Sequence, residues 1–131
     1  MDINHLTDVV IGSAMEVHRA LGPGLLESTY EMCLCRELDI RQISFERQKP
    51  VPVVYKAIKL DCGYRADVVV DGRLLVEIKS VDALAAIHDA QLLSYLKLGG
   101  WKIGLLMNFK VHLLKSGICR RVLNLEEEIN L

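Results

Sequence analysis

Arg65-Ala66-Asp67-Val68-Val69-Val70-Asp71-Gly72-Arg73-Leu74-Leu75-Val76-Glu77-Ile78-Lys79 is the stretch on which the reading of this chain turns. Two aliphatic, partly β-branched runs flank an Asp-Gly pair, the composition of two antiparallel strands joined by a tight hairpin. Side chains two apart in a strand share a face. Glu77 and Lys79 therefore lie with Leu75 and Arg73, and the opposite face shows the apolar row Leu74, Val76 and Ile78. On the partner strand Arg65, Asp67 and Val69 share one face, and Ala66, Val68 and Val70 share the other. Laying the two apolar rows together places Asp67 beside Glu77. A two-residue turn at Asp71-Gly72 would pair Asp67 with Val76 and turn it to the wrong face. The alternation thus predicts a three-residue loop, Val70-Asp71-Gly72, with Gly72 left-handed as a bulge.

Working outward, Ile3, Leu6, Val10, Val17 and Leu21, with Ser13 and Ala14, set a 3.6-residue rhythm over residues 3–21, a long amphipathic helix. Gly22-Pro23-Gly24 stops it. These glycines lack the preceding strand and the Gly-Lys-Ser/Thr ending of a phosphate loop, so they read as a helix–helix corner. A second helix is predicted at about 25–39, then strands over 44–55, 58–70 and 73–79. Pro50 and Pro52 cannot donate ladder hydrogen bonds, which puts the first of these at a sheet edge or a bulge. A third helix over about 83–98 ends at Gly99-Gly100. Strands over 102–109 and 118–125 follow, and a charged tail begins at Glu126. The expected fold is a single α/β domain over residues 1–131, a mixed β-sheet flanked by helices.

Composition narrows the function classes. Across 131 residues, 16 Lys plus Arg stand against 17 Asp plus Glu, a net charge of −1. That balance excludes a protein that holds phosphate by bulk positive charge, so any nucleic-acid role must come from a local site. Aromatic residues at 5% are too few for an RNA-binding sheet of exposed stacking rings. No apolar run approaches the ~20 residues of a membrane helix. Met1-Asp2-Ile3-Asn4-His5 lacks the basic flank and apolar centre of a signal peptide, so a cytoplasmic location with no membrane partner is expected. Cys33, Cys35, Cys62 and Cys119 are read as reduced, mostly buried thiols, because Cys33 and Cys35 diverge on a helix and no zinc cluster forms.

Asp67 and Glu77-Ile78-Lys79 carry the chemistry. Carboxylate oxygens are the ligands Mg²⁺ prefers, and a nearby ammonium stabilises charge developing on a phosphate. On the third helix, His88, Gln91 and Tyr95 stand at i, i+3 and i+7 and form one polar stripe among Ile87, Leu92, Leu93 and Leu96. That stripe is either solvated or turned to the carboxylates. Glu27, in the first turn of its helix, is favoured there by the helix dipole whatever else it does. Lys79 has a plainer alternative as the ion-pair partner of Glu77. Tyr30 is read as packing and His18 as a structural histidine. Glu46 has no readable register. Ser13 lacks the strand-elbow context of a catalytic serine.

Asp67 with Glu77-Ile78-Lys79, followed by Gln91 and Tyr95, resembles the PD-(D/E)XK nuclease superfamily. Gly24-Leu25-Leu26-Glu27-Ser28-Thr29-Tyr30 looks like the signature of its GxxExxY branch. Ala20–Gly24, Gln91–Leu96 and Gly104–Phe109 match further, so the resemblance spans about residues 5–110. Ala66 stands where the superfamily's name has proline, a position that supplies no ligand. The resemblance implies a restriction-endonuclease-like core and a metal-dependent nuclease. Its site would have Asp67, Glu77 and the Ile78 carbonyl on one or two Mg²⁺ ions, with Mn²⁺ as a substitute. Glu27 would add an acid to the metal site, Lys79 would serve the attacking water or the transition state, and Gln91 and Tyr95 would position phosphate or metal-bound water.

Charge is uneven along the chain. Arg41, Arg47, Lys49, Lys56, Lys59 and Arg65 cluster between the second helix and second strand, and Lys102, Lys110, Lys115, Arg120 and Arg121 form a looser group. Both groups are compatible with a modest nucleic-acid surface or a solvated face. The partners expected are nucleic acid, DNA in the first place, and a second copy of the chain as a homodimer, since cutting two strands commonly uses two sites. The competing functions are a nucleic-acid- or protein-binding module that keeps the fold without activity of its own, and a carboxylate cluster that only stabilises a sheet.

Overall fold

A computed structural model describes residues 1–123 of the chain. Helices α1 (Ile3–Leu21) and α2 (Glu27–Ile40) precede strands β1 (Phe45–Pro50), β2 (Val53–Tyr55), β3 (Ile58–Leu60), β4 (Arg65–Val70) and β5 (Leu74–Lys79). Helix α3 (Ala86–Gly99), strand β6 (Ile103–Asn108), a 3-10 turn (Leu114–Gly117) and strand β7 (Ile118–Val122) follow. Five strands pair in the order β1-β4-β5-β6-β7, antiparallel except for the parallel β5–β6 pair. A parallel pair needs a crossover, and α3 supplies it. The mixed sheet flanked by helices is the architecture expected from the sequence. The tail from Glu126 and the end of the last predicted strand lie outside the described residues.

Both faces of the sheet are covered. On one, Val68, Val70, Leu74, Val76, Ile78, Leu105 and Met107 pack with Leu6, Val10 and Ala14 of α1 and Tyr30, Leu34 and Leu38 of α2. On the other, Val69, Leu75 and Leu106 pack with Leu92, Tyr95 and Leu96 of α3 and with Trp101. Strand β5 is consequently buried from Leu74 through Ile78. Asp2 caps α1 by accepting from His5 N at 2.8 Å, and left-handed Gly100 (φ 75°) ends α3 where the sequence places its stop.

The long strands predicted over 44–55 and 58–70 are each interrupted. Their outer parts leave the main sheet and pair only with one another as the β2–β3 hairpin. Pro50 and Pro52 lack the N–H groups to continue a ladder, and Val51 N donates to Tyr64 O at 3.0 Å across the neck of the hairpin. β1 is an edge strand, as the prolines imply. α2 begins at Glu27 rather than near 25 because the corner before it is held open. The Tyr30 hydroxyl donates to Gly22 O and accepts from Leu25 N at 3.0 Å, and its ring stacks on Phe109 at 4.4 Å. Tyr30 is thus a packing residue that also fixes the helix–helix corner.

The β4–β5 loop has three residues, but they are Asp71-Gly72-Arg73, one position later than predicted. The register is Val68↔Val76, Val69↔Leu75 and Val70↔Leu74. Asp71 (φ 53°) and Gly72 (φ 67°) are both left-handed, and Arg73 N donates to Val70 O at 3.0 Å. The turn is therefore a tight two-residue turn with Arg73 as the extra residue. The shift of one at each end preserves which side chains share a face, and it brings Asp67 directly opposite Glu77. Alternation fails at one residue: Ala66 packs with Val69 in the second cluster, not with Val68 and Val70.

Replacing Tyr30 by Phe keeps the ring and removes both hydroxyl bonds at the corner. The expected loss is about 1–3 kcal/mol of folding stability, measured by urea unfolding; no loss would mean the corner is held by packing alone.

Candidate active site

Between Asp67 and Glu77 the backbone ladder gives way to a reciprocal clasp. Asp67 N donates to Glu77 Oε2 at 2.7 Å, and Ile78 N donates to Asp67 Oδ2 at 2.8 Å. Each carboxylate thus takes an N–H group from the other's strand. On the far side of β4, β1 pairs at Arg47↔Val68 and Lys49↔Ala66 but skips Gln48. Gln48 is left-handed (φ 53°), and its amide Nε2 donates to Glu31 Oε1 at 2.6 Å and reaches Asp67 Oδ1 at 3.4 Å.

Burial sets the electrostatics. Glu77 is 4% exposed, and Asp67 is half-buried. Burial, reinforced by the Asp67 charge, pushes the Glu77 carboxyl up to about 8, against the opposing pull of the Asp67 N–H and Lys79. Burial, with the charge of Glu31 adding to it, raises Asp67 to about 6 despite the Ile78 N–H, Lys79 and Gln48. The pair is a desolvated carboxyl cluster in which the ionised forms are disfavoured.

Lys79 extends from the end of β5 toward α3. Its Nζ donates to Gln91 Oε1 at 3.5 Å, and Gln91 Nε2 donates to Tyr95 OH at 3.4 Å. Lys79 makes no salt bridge with Glu77, so the ion-pair alternative drops out. Tyr95 is buried, and burial raises its hydroxyl above the usual tyrosine range. The predicted polar stripe divides: Gln91 and Tyr95 face the lysine, whereas His88 Nδ1 accepts from Ala85 N at 2.9 Å and serves the start of α3.

Glu27 borders a surface cavity lined also by Ser28, Glu31, Arg47, Gln48 and Asp67. Its Oε1 accepts from Ser80 N at 3.1 Å, tying the start of α2 to the residue after Lys79. Glu31 went unread in the sequence. It is 4% exposed, with Arg47 Nε donating to its Oε2 at 2.5 Å and Gln48 on its other oxygen. Its one signal was position, four residues after Glu27 and so on the same helical face. Asn108, inside the matching stretch Gly104–Phe109, has no role readable from the sequence: buried, it accepts from Val81 N and donates to Val81 O, holding the segment after β5. His18 Nε2 lies 2.9 Å from Val111 O, a structural role as expected. Glu46 pairs with Lys49 instead of joining the site. The four thiols are free, but Cys62 is exposed and only Cys35 is buried.

Among the described residues no three His, Cys, Asp or Glu side chains converge as a ready metal cage. The donor chemistry nonetheless fits a hard divalent ion. Mg²⁺ keeps several waters and takes only one or two carboxylates from a protein. Asp67 and Glu77 supply two, both raised in pKa chiefly by burial, which the Lys79 charge only partly offsets.

The mixed sheet, its flanking helices and the carboxylate–lysine hairpin define a restriction-endonuclease-like α/β protein. A family model described as the PD-(D/E)XK nuclease superfamily matches residues 4–122, and the chain belongs to that superfamily. Its members are usually phosphodiesterases acting on nucleic acid and generally use divalent metals. No curated protein and no solved structure matches the chain. No helix among the described residues is long and apolar enough to cross a membrane.

Both site carboxyls have folded pKa values above their unfolded ones, so the folded state holds protons that the unfolded state has released. The stability they contribute is fully present below about pH 4 and is lost as pH rises through about 6 and then 8. Thermal unfolding of metal-free protein should therefore show the melting temperature falling over that window, and Glu77→Gln should flatten the fall. An unchanged pH dependence in Glu77→Gln would show that Glu77 does not titrate there.

Proposed function

We propose that this chain is a metal-dependent nuclease of the GxxExxY branch that hydrolyses phosphodiester bonds of DNA by attack of an activated water. The observation that carries the reading is the Asp67–Glu77 clasp, a half-buried and a buried carboxylate held together with Lys79 at the end of the strand that bears Glu77. Bound Mg²⁺, or Mn²⁺ in its place, supplies Lewis acidity and a lowered water pKa. Asp67, Glu77 and the Ile78 carbonyl hold it, with Glu27 as a further acid from α2. Lys79 orients the attacking water or stabilises charge developing on the phosphate, and Gln91 holds the ammonium toward that task. Gln91 and Tyr95 position the substrate phosphate. Glu31 and Gln48 support Asp67 from behind. The protein works in the cytoplasm as a homodimer, one site per strand of duplex.

The test is Mg²⁺-dependent cleavage of labelled duplex, single-stranded and branched DNA. Glu77→Gln should abolish cleavage, and Lys79→Ala should reduce it by about 100-fold or more, the scale of losing one preorganised stabilising group. Mn²⁺ binding without cleavage of any substrate would favour the alternative, a partner-dependent binding module that keeps the nuclease fold.

A further inference from the structure

The β2–β3 hairpin is not absorbed by the site. It is a two-stranded sheet separate from the five-stranded one, paired Val53↔Leu60, Val54↔Lys59 and Tyr55↔Ile58. Isolated two-stranded hairpins are marginal in water, so a ribbon left standing off the core points to a use outside it. Its side chains are exposed, Tyr55 at 61%, Ile58 at 59% and Val54 at 63%. Its two-residue turn places Lys56 (φ 48°) and Ala57 (φ 65°) in left-handed backbone and puts a cation at the tip.

Charge identifies the occupant. Residues 47–65 hold Arg47, Lys49, Lys56, Lys59 and Arg65 against a single acid, Asp61, a net +4 that leaves −5 on the rest of the chain. Arg47, Lys49 and Arg65 are paired with carboxylates, whereas Lys56 and Lys59, both on the hairpin, form no ion pair among the described residues. Lys56 lies over the Tyr55 ring at 5.5 Å. An isologous contact with a second copy would set this positive ribbon against itself. A polyanion meets no such repulsion.

Placement ties the hairpin to the site. Tyr64, in the strap that returns from β3 to β4, packs on Tyr95 with ring centroids 5.8 Å apart. Tyr95 in turn accepts from Gln91, which holds Lys79. The ribbon therefore leaves the core beside the reacting end of the sheet.

We propose that the β2–β3 hairpin is a DNA-binding arm that lies in the major groove of duplex DNA next to the candidate active site, with Lys56 and Lys59 on phosphates. The B-form major groove, about 12 Å wide, admits a two-stranded ribbon, whereas the deep, narrow major groove of A-form RNA does not. The arm thus selects duplex DNA as the substrate class, and this rests on the nuclease reading above.

Binding is read by fluorescence anisotropy of a labelled DNA duplex against the full chain without divalent metal, so that no cleavage is needed. Lys56→Asn combined with Lys59→Gln removes both charges at exposed positions, and asparagine tolerates the left-handed backbone at 56. The double variant should bind duplex on the order of tenfold more weakly and lower the slope of log K against log salt by about 2. Circular dichroism should report an unchanged fold. A matched RNA duplex should bind more weakly to wild type and respond less to the substitutions. Unchanged affinity and salt slope in the double variant would overturn the arm, as would equal affinity for the two duplexes. A change in sedimentation without a change in DNA binding would overturn it in favour of a contact between copies. Cleavage by wild type with unaltered binding by the variant would sink the arm alone. Duplex binding by wild type with no cleavage under Mg²⁺ would sink the nuclease reading and leave the arm standing.

Discussion

A carboxylate on a strand buried on both faces is the constraint around which this protein is arranged. β5 lies in the middle of the sheet with helices α1 and α2 over one face and α3 over the other, and Glu77 shares that burial. A charged group there is costly unless it is hydrogen-bonded, paired or neutralised. The hydrogen bond comes from Asp67 N, and the same exchange gives Asp67 the N–H of Ile78. What remains is a pair of raised pKa values and an unmet demand for positive charge. Lys79 and the Gln48 amide relieve that demand in part, whereas the Glu31 charge adds to it.

The site is assembled from elements far apart in the chain, and each is braced independently. Glu27 ties α2 to Ser80, and Asn108 at the end of β6 ties the same post-β5 segment from the opposite direction. Tyr30 holds the corner that positions α2, with Phe109 against its ring. These contacts keep the carboxyl end of β5 in place while the cavity beside Asp67 stays open at the surface. The near-neutral net charge takes on another meaning in this setting. Negative charge is concentrated where a cation would sit, and positive charge is concentrated on residues 47–65, so the balance conceals a strongly polarised molecule.

Much of this was legible in the residues because the controlling signals are local and periodic. Alternation through 65–79 settled which side chains share a face, Ala66 excepted, and the helix rhythm over 3–21 matched α1 to its bounds. The Gly99-Gly100 stop and the edge position of the proline-bearing strand followed from backbone chemistry alone. Loop position was harder. Residue parity admits turns centred one residue earlier or later, and only the hydrogen bond from Arg73 N to Val70 O decides between them. Glu31 was invisible because nothing in its neighbourhood announces that Arg47 and Gln48, sixteen and seventeen residues on, fold back onto it.

By itself, then, the sequence determined the order of the helices and of the main-sheet strands, the apolar rows that make a two-sided core, and the pairing of carboxylates with a lysine on one hairpin. These depend on periodicities of two and 3.6 residues that every chain obeys. The tertiary structure decided the rest: the departure of β2 and β3 from the main sheet, the displacement of Ala66, the separation of His88 from Gln91 and Tyr95, and the depth of Glu77. Each of those results from a competition between distant segments for the same hydrogen bonds and the same buried volume, and such a competition has no outcome until the segments meet.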